Sequence, residues 1–328
     1  MKAITQDEYG SADVLQLQEI QKPEVGDDDV FLRVDAAGVH IGDWHVMTGE
    51  PRLMRIMGFG FRTPKARVRG MDVAGTVEAV GENVTRFRAG DEVFGICDGS
   101  FAEFACARAD KLAPKPTNLT FEQAAAVPTS ACTALQALRG PGEIQPGQRV
   151  LINGASGGVG TFAVQIAKSF GATVIGVCST NNTDLVRSIG ADQVIDYTKD
   201  DFSQTVQPCD VMLDLVGTRS LSDCLRVLTP RGTYVVVGVR DMGRWFGLGR
   251  QAKALSLSPF VRQRMRLFVV RRNREDLAVL KKLVEAGKIG PVLERRYALG
   301  DAPEALRHQG EGHTRGKLVI GTDGAPDS

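Results

Sequence analysis

The sequence predicts an α/β protein in which a β-rich domain accompanies a doubly wound parallel sheet. Its 328 residues exceed the roughly 250 at which a single hydrophobic core usually stops growing, so two domains are expected. Short strand-like runs separated by turn residues fill the chain up to about residue 115. From about residue 120 onward, strand-like runs alternate with helical patterns, which implies crossover connections and a parallel sheet.

The β-rich domain is predicted from short apolar runs that Gly, Pro and Asp turns separate. The predicted strands are Val14–Ile20, Asp29–Val39, Met71–Val80, Asp91–Ile96 and Phe101–Arg108. A final run, Gly316–Ile320, has no helix after it and is expected to pair with this domain. We predict a compact, barrel-like arrangement of these strands.

The later strand-like runs are continuously apolar, as expected for strands that helices cover on both faces. They are Arg149–Asn153, Thr173–Ser179, Gln193–Tyr197, Val211–Val216 and Thr233–Val239. This pattern predicts the doubly wound core.

Composition and charge are those of an ordinary globular protein. Hydrophobic residues make up 43% of the chain and charged residues 24%, which excludes a disordered or fibrous class. The formal net charge of +1 gives no reason to expect nucleic acid as a partner.

The cysteines are scattered and contain no C-x-x-C pair, so neither a disulfide framework nor a structural zinc site is predicted. They are Cys97, Cys106, Cys132, Cys178, Cys209 and Cys224. The first residues carry charge where a signal peptide needs an apolar core, and no run approaches the roughly 18 apolar residues of a membrane span. We expect a soluble protein of the reducing cytoplasm.

The strongest chemical signal is the glycine-rich segment Val150–Gly160, which joins a buried strand to a helix. Gly154, Gly157 and Gly160 let the backbone turn sharply and approach a ligand, and the helix N-terminus favours a pyrophosphate. Apolar residues at helical spacing predict that helix, and they are Val159, Phe162, Ala163, Ile166, Ala167 and Phe170. The spacing G-x-x-G-x-x-G is weak alone, but its strand–turn–helix context predicts a dinucleotide site.

The end of the next strand indicates which dinucleotide binds. NAD enzymes usually place an acidic residue there to bind the ribose 2′-hydroxyl. This strand instead ends in Val177–Asn181, where two hydroxyls and an amide leave room for a 2′-phosphate. NADPH is therefore favoured over NADH. Tyr197 is either a wall for the adenosine or ordinary strand-end packing.

These motifs resemble those of the medium-chain dehydrogenase/reductase superfamily along nearly the whole chain. The segments that carry the resemblance are Gly38–Asp43, Gly70–Gly81, Asp91–Gly95, Asn153–Gly160, Gly190–Tyr197, Asp214–Gly217 and Gly312–Ile320. The resemblance implies a GroES-like β-barrel domain, residues 1–124 and 275–328, and an inserted Rossmann NADP-binding domain, residues 125–274. It also implies an active site in the cleft between the two domains.

Zinc-dependent members of the superfamily bind a catalytic zinc through a Cys, a His and a further Cys or acidic residue. Aligned by their motifs, these positions hold His40, Met71 and Thr129. A thioether and a hydroxyl are poor replacements for such ligands. The resemblance therefore points to a zinc-independent branch without a bound metal, that of the NADPH-dependent quinone oxidoreductases and alkenal/enone reductases.

Within that branch the resemblance implies three groups of cofactor-binding residues. Thr133 lies near the nicotinamide, and the turn residues hold the pyrophosphate. Others surround the 2′-phosphate or line the nicotinamide half. The full set is Thr133, Ala155, Ser156, Gly157, Gly158, Val159, Gly160, Ser179, Thr180, Tyr197, Val216, Gly238 and Val239.

Without a metal to polarise a carbonyl, the expected acceptors are small lipophilic quinones or α,β-unsaturated carbonyl compounds. The protein would hold the nicotinamide against the acceptor and exclude water, and a proton could come from solvent. His40 and Asp43 lie where the family's active-site loop is expected and are candidates, with Thr133, for orienting substrate or passing a proton. Alternatively, Asp43 caps a short helix and His45 faces solvent.

Two further segments each allow two interpretations. The loop Leu53–Phe61 is rich in methionine and either lines a pocket for a lipophilic acceptor or packs as core or interface. The basic, apolar stretch Val239–Arg274 could contact a membrane surface. A solvated helix and a subunit-contact strand, Arg266–Val270, are favoured there, and that strand suggests a homodimer formed by sheet extension.

Other functions remain open on the sequence alone. An alcohol dehydrogenase and an enoyl-thioester reductase share the expected fold. A nucleotide-binding protein without turnover, acting through a membrane or RNA partner, would also keep the glycine turn. Bound cofactor is expected in each case.

Overall fold

The structure is a computed structural model that describes residues 1–53, 55–237 and 262–322, without the side chains of Met57 and Leu267. Its strands are β1 Lys2–Thr5, β2 Gln16–Glu19, β3 Asp29–Val39, β4 Asp72–Val80, β5 Glu92–Ile96, β6 Phe104–Arg108, β7 Leu112–Pro114, β8 Arg149–Asn153, β9 Thr173–Cys178, β10 Gln193–Asp196, β11 Cys209–Asp214, β12 Leu228–Val236, β13 Arg264–Leu267, β14 Leu293–Ala298 and β15 Lys317–Gly321.

The α-helices are α1 Ile41–Thr48, α2 Phe121–Ala125, α3 Pro128–Arg139, α4 Gly158–Ser169, α5 Thr183–Ser188, α6 Phe202–Thr205, α7 Leu221–Arg226, α8 Arg274–Glu285 and α9 Ala302–Glu311. The described residues fall into two compact units. The first lies within Met1–Cys132, Arg272–Gly287 and Pro291–Ser328, and the second within Thr133–Arg271 and Lys288–Gly290.

The first unit is built on a mostly antiparallel sheet whose described strands run in the order β14-β15-β3-β4-β5-β7, with β6 paired to β3. The long strand β3 pairs with β4, β6 and β15, so it is the centre of this unit. Its buried residues, among them Val30, Leu32 and Val39, contribute to two apolar clusters of the unit. The end of β3 leads directly into α1, which places the start of that helix at the interior of the unit.

The second unit contains a parallel sheet, and its described strands run in the order β10-β9-β8-β11-β12-β13. From β8 the chain first adds strands on one side and then, from β11, on the other. Right-handed crossovers in opposite directions put helices on both faces of the sheet. Ligands of such sheets bind at the carboxyl ends of the strands where the direction reverses, here at β8 and β11.

The predicted α/β class, with a β-rich unit and a doubly wound parallel sheet, is confirmed. Strands β3 and β8 have the predicted bounds. The strand predicted at Val211–Val216 is instead Cys209–Asp214. It ends at Asp214, whose side chain accepts hydrogen bonds from the backbone N–H groups that follow. The predicted strand Thr233–Val239 begins earlier, at Leu228, and Val239 lies outside the described residues.

Three short strands were not predicted, namely β1, β7 and β14. In the charged strand β14 the residues are mostly exposed or half-buried, so it lacks the apolar pattern that predicts a strand. It forms because its backbone pairs in parallel with β15. Tertiary pairing, not local sequence, therefore specifies this strand.

Candidate functional site

The glycine turn lies between β8 and α4, at the reversal point of the parallel sheet. Gly154 has a φ of 94°, which favours glycine, and a Cβ there would lie 2.7 Å from Val216 Cγ2. A Cβ at Gly160 would collide with the carbonyl oxygen of Gly154. These two glycines are needed to form the turn itself.

Gly157 differs from both neighbours. Its φ of −81° and ψ of 177° suit any residue, and a Cβ would have no protein atom nearer than the Gly154 oxygen at 3.7 Å. The fold therefore does not require glycine there. A ligand that approaches the backbone closely would require it.

The N-terminus of α4 is suited to an anion. Gly157 is its N-cap residue and provides no side-chain hydrogen bond to the helix, and the first turn contains no acidic residue. The first N–H groups of a helix have no partner within the helix, and its dipole favours negative charge there. The residues present fit a pyrophosphate group held by Ser156–Gly160.

A buried carboxylate organises the strand ends around this turn. Asp214, fully buried at the end of β11, accepts a hydrogen bond from Asn153 Nδ2 of β8 (2.9 Å) and another from Tyr234 OH of β12 (2.7 Å). It also accepts from the backbone N–H groups of Val216 (3.3 Å) and Gly217 (2.9 Å). Three adjacent strands and the loop that carries Val216 are thus held together. Asp214 was not among the predicted site residues.

Replacing Tyr234 with phenylalanine is expected to destabilise the protein by about 1.5–3 kcal/mol, the usual cost of removing a hydrogen bond to a buried charged group. Urea unfolding at pH 7 measures this loss. Tyr197→Phe is the matched control, since the Tyr197 side chain is 48% exposed. Equal stability of Y234F and Y197F would contradict the role assigned to Asp214.

A carboxylate lies beside the residues predicted for the 2′-phosphate end, although the end of β9 itself carries none. Asp196, the last residue of β10, accepts hydrogen bonds from Thr180 Oγ1 (2.6 Å) and Thr198 Oγ1 (2.7 Å). These bonds hold the pKa of Asp196 well below its usual range. The prediction considered only the end of β9, whereas the acid comes from the neighbouring strand, at the position paired with Cys178.

The hydroxyls predicted for this end are therefore not equivalent. The Thr180 hydroxyl donates a hydrogen bond to Asp196. Ser179 Oγ instead accepts a hydrogen bond from Asn182 Nδ2 (3.1 Å), so the Ser179 hydroxyl can donate to another acceptor. The Lys199 ammonium lies 3.4 Å from Asp196 Oδ2 and offsets the negative charge. Tyr197 is exposed, as a residue that lines a ligand site can be.

The first unit contains a buried polar cluster at the junction of β3 and α1. His40 is the N-cap residue of α1, and its Nδ1 accepts from Gly42 N–H (3.0 Å), so in the neutral ring the proton is on Nε2. Asp43 Oδ2 accepts from the backbone N–H of His40 (2.9 Å) and lies 3.6 Å from His40 Nε2. Within the described part of the chain, His40 Nε2 has no hydrogen-bond partner.

Burial determines the charge states of this pair. It raises the pKa of Asp43 to about 7, and the nearby carboxylate of Asp72 adds to the increase. Burial and the positive charges of Lys317 and Arg272 hold the pKa of His40 well below its usual value. Near neutral pH the imidazole is therefore uncharged, and Asp43 can gain or lose a proton.

The structure confirms that Asp43 takes part in capping α1, because His40 and Asp43 form a reciprocal capping box. The suggestion that His45 faces solvent was wrong. His45 is half-buried, its Nδ1 lies 2.9 Å from the carbonyl oxygen of Glu50, and burial lowers its pKa. A single-sequence pattern cannot specify this, since the contact depends on the turn that follows α1.

Two members of the cluster were not among the predicted site residues. Asp72 begins β4 and is fully buried, and its Oδ1 accepts from Thr129 N–H (3.1 Å) and Thr129 Oγ1 (2.5 Å). Lys317 begins β15, is almost fully buried, and its Nζ donates to the carbonyl oxygen of Val39 (2.8 Å). In the sequence, the signal for these two residues was a charged side chain at the start of an otherwise apolar strand, β4 and β15.

The three positions aligned with zinc ligands have other contacts. Arg272 Nη2 lies 2.8 Å from Met71 Sδ, and Thr129 bonds to Asp72. In residues 1–53, 55–237 and 262–322, no group of three or more His, Cys, Asp or Glu side chains is placed to hold a metal ion. Thr133, nearly buried, follows Thr129 by one turn of α3.

The remaining predicted residues are only partly described. Gly238, Val239 and most of the basic stretch Val239–Arg274 lie outside the described residues, and so does Met54 of the loop Leu53–Phe61. In that loop Ile56 and Phe61 are mostly exposed. The strand predicted at Arg266–Val270 is instead Arg264–Leu267, and Val269 after it is exposed. No helix among the described residues is long and apolar enough to cross a membrane.

Comparison with known proteins identifies the family. Residues 26–117 match the family described as alcohol dehydrogenase GroES-like domain, and residues 189–320 match zinc-binding dehydrogenase. The chain is 34% identical to the mitochondrial NAD(P)H oxidoreductase RTN4IP1 of Mus musculus, over 98% of this chain and 89% of that protein. It is 32% identical to the 2-methylene-furan-3-one reductase of Solanum lycopersicum, over 98% of this chain and 79% of that one.

Among solved structures, the chain is similar to the Escherichia coli quinone oxidoreductase complexed with NADPH. The TM-score is 0.83 at 26% identity, and the match covers 98% of this chain and all of that one (100%). These similarities extend over almost the whole chain. The chain belongs to the medium-chain dehydrogenase/reductase superfamily, in the branch of the quinone oxidoreductases and alkenal/enone reductases.

Proposed function

We propose that the protein is an NADPH-dependent oxidoreductase that transfers hydride to a quinone or an α,β-unsaturated carbonyl compound without a zinc ion. The observation that carries this proposal is the turn before α4, where Gly157 leaves open space beside an N-terminus that no side chain caps. Such a turn fits a pyrophosphate. The relatives named above reduce substrates of these two kinds or use NAD(P)H, according to their names.

The cofactor would be held by residues of three elements. Backbone N–H groups of Ala155–Gly160 would bind the pyrophosphate, and Ser179, Thr180 and Tyr197 would surround the 2′-phosphate. Val216, Gly238 and Val239, with Thr133, would contact the nicotinamide half. Bound NADPH supplies the hydride at the nicotinamide C4. The network around Asp214 orients the loop of Val216 for that contact.

Zinc-independence is supported by the chemistry at the three aligned positions. Met71 and Thr129 offer a thioether and a hydroxyl, and both contact other side chains. The neutral, buried His40 alone would not hold a tetrahedral zinc site. Acceptors that take hydride readily, without a metal on their oxygen, fit such a site.

Reduction of a quinone or an enone also requires a proton. We propose that His40 and Asp43 hold it, with Asp43 protonated in part near neutral pH and His40 Nε2 carrying the ring proton. A general acid works best when its pKa is near the working pH, and Asp43 meets that condition. The close approach of His40 Nε2 and Asp43 Oδ2, 3.6 Å, places the two groups together.

The experiment is the oxidation of NADPH, and separately of NADH, followed by absorbance with a quinone and then with an unsaturated ketone. Each reaction is run with and without a metal chelator. We expect faster oxidation of NADPH than of NADH, and equal rates with and without chelator. Activity that the chelator abolishes would overturn zinc-independence. Tight NADPH binding without oxidation by any acceptor would favour a binding protein.

We also propose a domain division at residues 1–124 and 275–328 for the catalytic domain and 125–274 for the nucleotide domain, which the two compact units support.

A homodimer is proposed because β13 is the last described strand on its side of the sheet and offers an edge for extension. Sedimentation velocity would test it, since a monomer at micromolar concentration contradicts it. The scattered cysteines, which contain no C-x-x-C pair, suit a reducing compartment, and we propose the cytoplasm, which fractionation of cells would test against the mitochondrion.

A further inference from the structure

Lys317 and Asp72 form a buried charged pair in the first unit. The side chain of Lys317 is 2% exposed and that of Asp72 is 0% exposed. A lysine or aspartate is almost never this buried without a partner, because removal of each charge from water is unfavourable. Their presence in the interior of the unit therefore requires an explanation.

The pair is incompletely satisfied. Lys317 Nζ lies 3.7 Å from Asp72 Oδ2, which is too long for a hydrogen bond, and Asp72 Oδ2 has no hydrogen-bond partner in the described residues. Replacing a buried ion pair by apolar residues of similar size is often neutral or stabilising. Stability of the fold alone therefore does not account for this pair.

The contacts of the pair reach two segments that carry the proposed site residues. Lys317 Nζ donates to the carbonyl oxygen of Val39, the residue before His40. Asp72 Oδ1 accepts from both the N–H and the hydroxyl of Thr129 in the first turn of α3. One turn later the same helix carries Thr133. The pair thus links the start of α1 to the start of α3.

We propose that Lys317 and Asp72 are positioning residues that fix the starts of α1 and α3 relative to each other, so that His40 and Asp43 keep the geometry for proton transfer. This inference rests on the proposed function. Neither residue touches the reacting atoms. Displacement of reacting groups by about 1 Å costs about 100-fold in rate, so loss of the link should be visible in turnover.

The charges around His40 and Asp43 give the proposal a second readout. Besides burial, the pKa of Asp43 depends on Asp72, Lys317, Arg69 and the His40 N–H. The pKa of His40 depends on Lys317, Arg272 and His45. Removing the Lys317 charge raises the pKa of both groups. Removing the Asp72 charge lowers the pKa of Asp43. A variant that merely loosens the fold would lower turnover without shifting its pH dependence in these opposite directions.

The test compares Lys317→Met, Asp72→Asn and the double variant. Each single variant leaves one buried charge unpaired and is expected to melt at a lower temperature. The double variant removes both charges and is expected to fold with an NADPH Kd within about 2-fold of the wild type, because the glycine turn is unchanged. Its kcat is expected to fall about 10- to 100-fold at saturating acceptor. Among single variants that fold, the pH profile of kcat should shift upward for K317M and downward for D72N.

Lys168→Met with Asp192→Asn is the matched control, because this pair has the same residue types but is partly exposed, and Lys168 Nζ lies 2.8 Å from Asp192 Oδ1. Its kcat should equal that of the wild type. A double K317M/D72N variant that folds and retains wild-type kcat would overturn the proposal.

An inactive wild-type enzyme would instead contradict the proposed function. In that case amide hydrogen exchange tests the link directly. Exchange in residues 41–48 and 128–139 should be faster in the double variant than in the wild type, and unchanged exchange would overturn the link.

Discussion

Replacing Gly157 with alanine is expected to weaken NADPH binding about 30- to 150-fold without unfolding the protein. The new Cβ meets no protein atom nearer than 3.7 Å, and the backbone angles suit alanine. It would occupy the space through which a pyrophosphate approaches the N–H groups of α4. Loss of hydrogen bonds to a charged group costs about 2–3 kcal/mol, and about 1.4 kcal/mol corresponds to tenfold in Kd. Fluorescence titration measures the Kd.

Gly290→Ala is the control, because its Cβ would have no atom within 4 Å and its φ is not in the left-handed region. This variant should bind NADPH like the wild type. Gly160→Ala should behave differently from both, since its Cβ collides with the Gly154 oxygen and the turn itself must distort. Wild-type affinity in G157A would mean that the pyrophosphate does not lie against Gly157.

The contrast between these glycines indicates what could be predicted from the sequence. Spacing and context identified the turn, because the strand, the glycines and the helix are adjacent in the chain. The different roles of Gly157 and Gly160 depend on which atoms face each Cβ. That information arises only when β8 and α4 pack together, so the sequence could not separate them.

The same distinction applies to the charged residues of the site. His40 and Asp43 were predicted as candidates because one short segment contains both. Asp72 and Lys317 lie far apart in the sequence, and only the pairing of β3 with both β4 and β15 brings them together. Asp196 was missed at the 2′-phosphate end for the same reason, since β10 pairs beside β9. Local patterns predict the elements, whereas strand order determines which side chains meet.

Asp43→Asn is expected to stabilise the protein at pH 8 by about 2–4 kcal/mol and to have almost no effect at pH 4. Burial raises the pKa of Asp43 from 3.8 to about 7. Between these values the folded state holds a proton that the unfolded state has released, so wild-type stability falls as pH rises through this range. Each pKa unit corresponds to about 1.4 kcal/mol. Asparagine stays uncharged and keeps an oxygen that can accept from the His40 N–H.

Urea unfolding of the wild type and D43N at pH 4 to 8 measures this difference. The lowered pKa of His40 makes stability rise with pH, opposite to the effect of Asp43. The reason is that the unfolded histidine takes up a proton below pH 6.5 that the folded one does not. This contribution is common to both proteins and largely cancels in the difference. Asp184→Asn is the matched control, since its side chain is 96% exposed and should gain nothing at pH 8. A stability difference between D43N and the wild type that does not change with pH would show that Asp43 is ionised throughout, and that it cannot store the proton for the reaction.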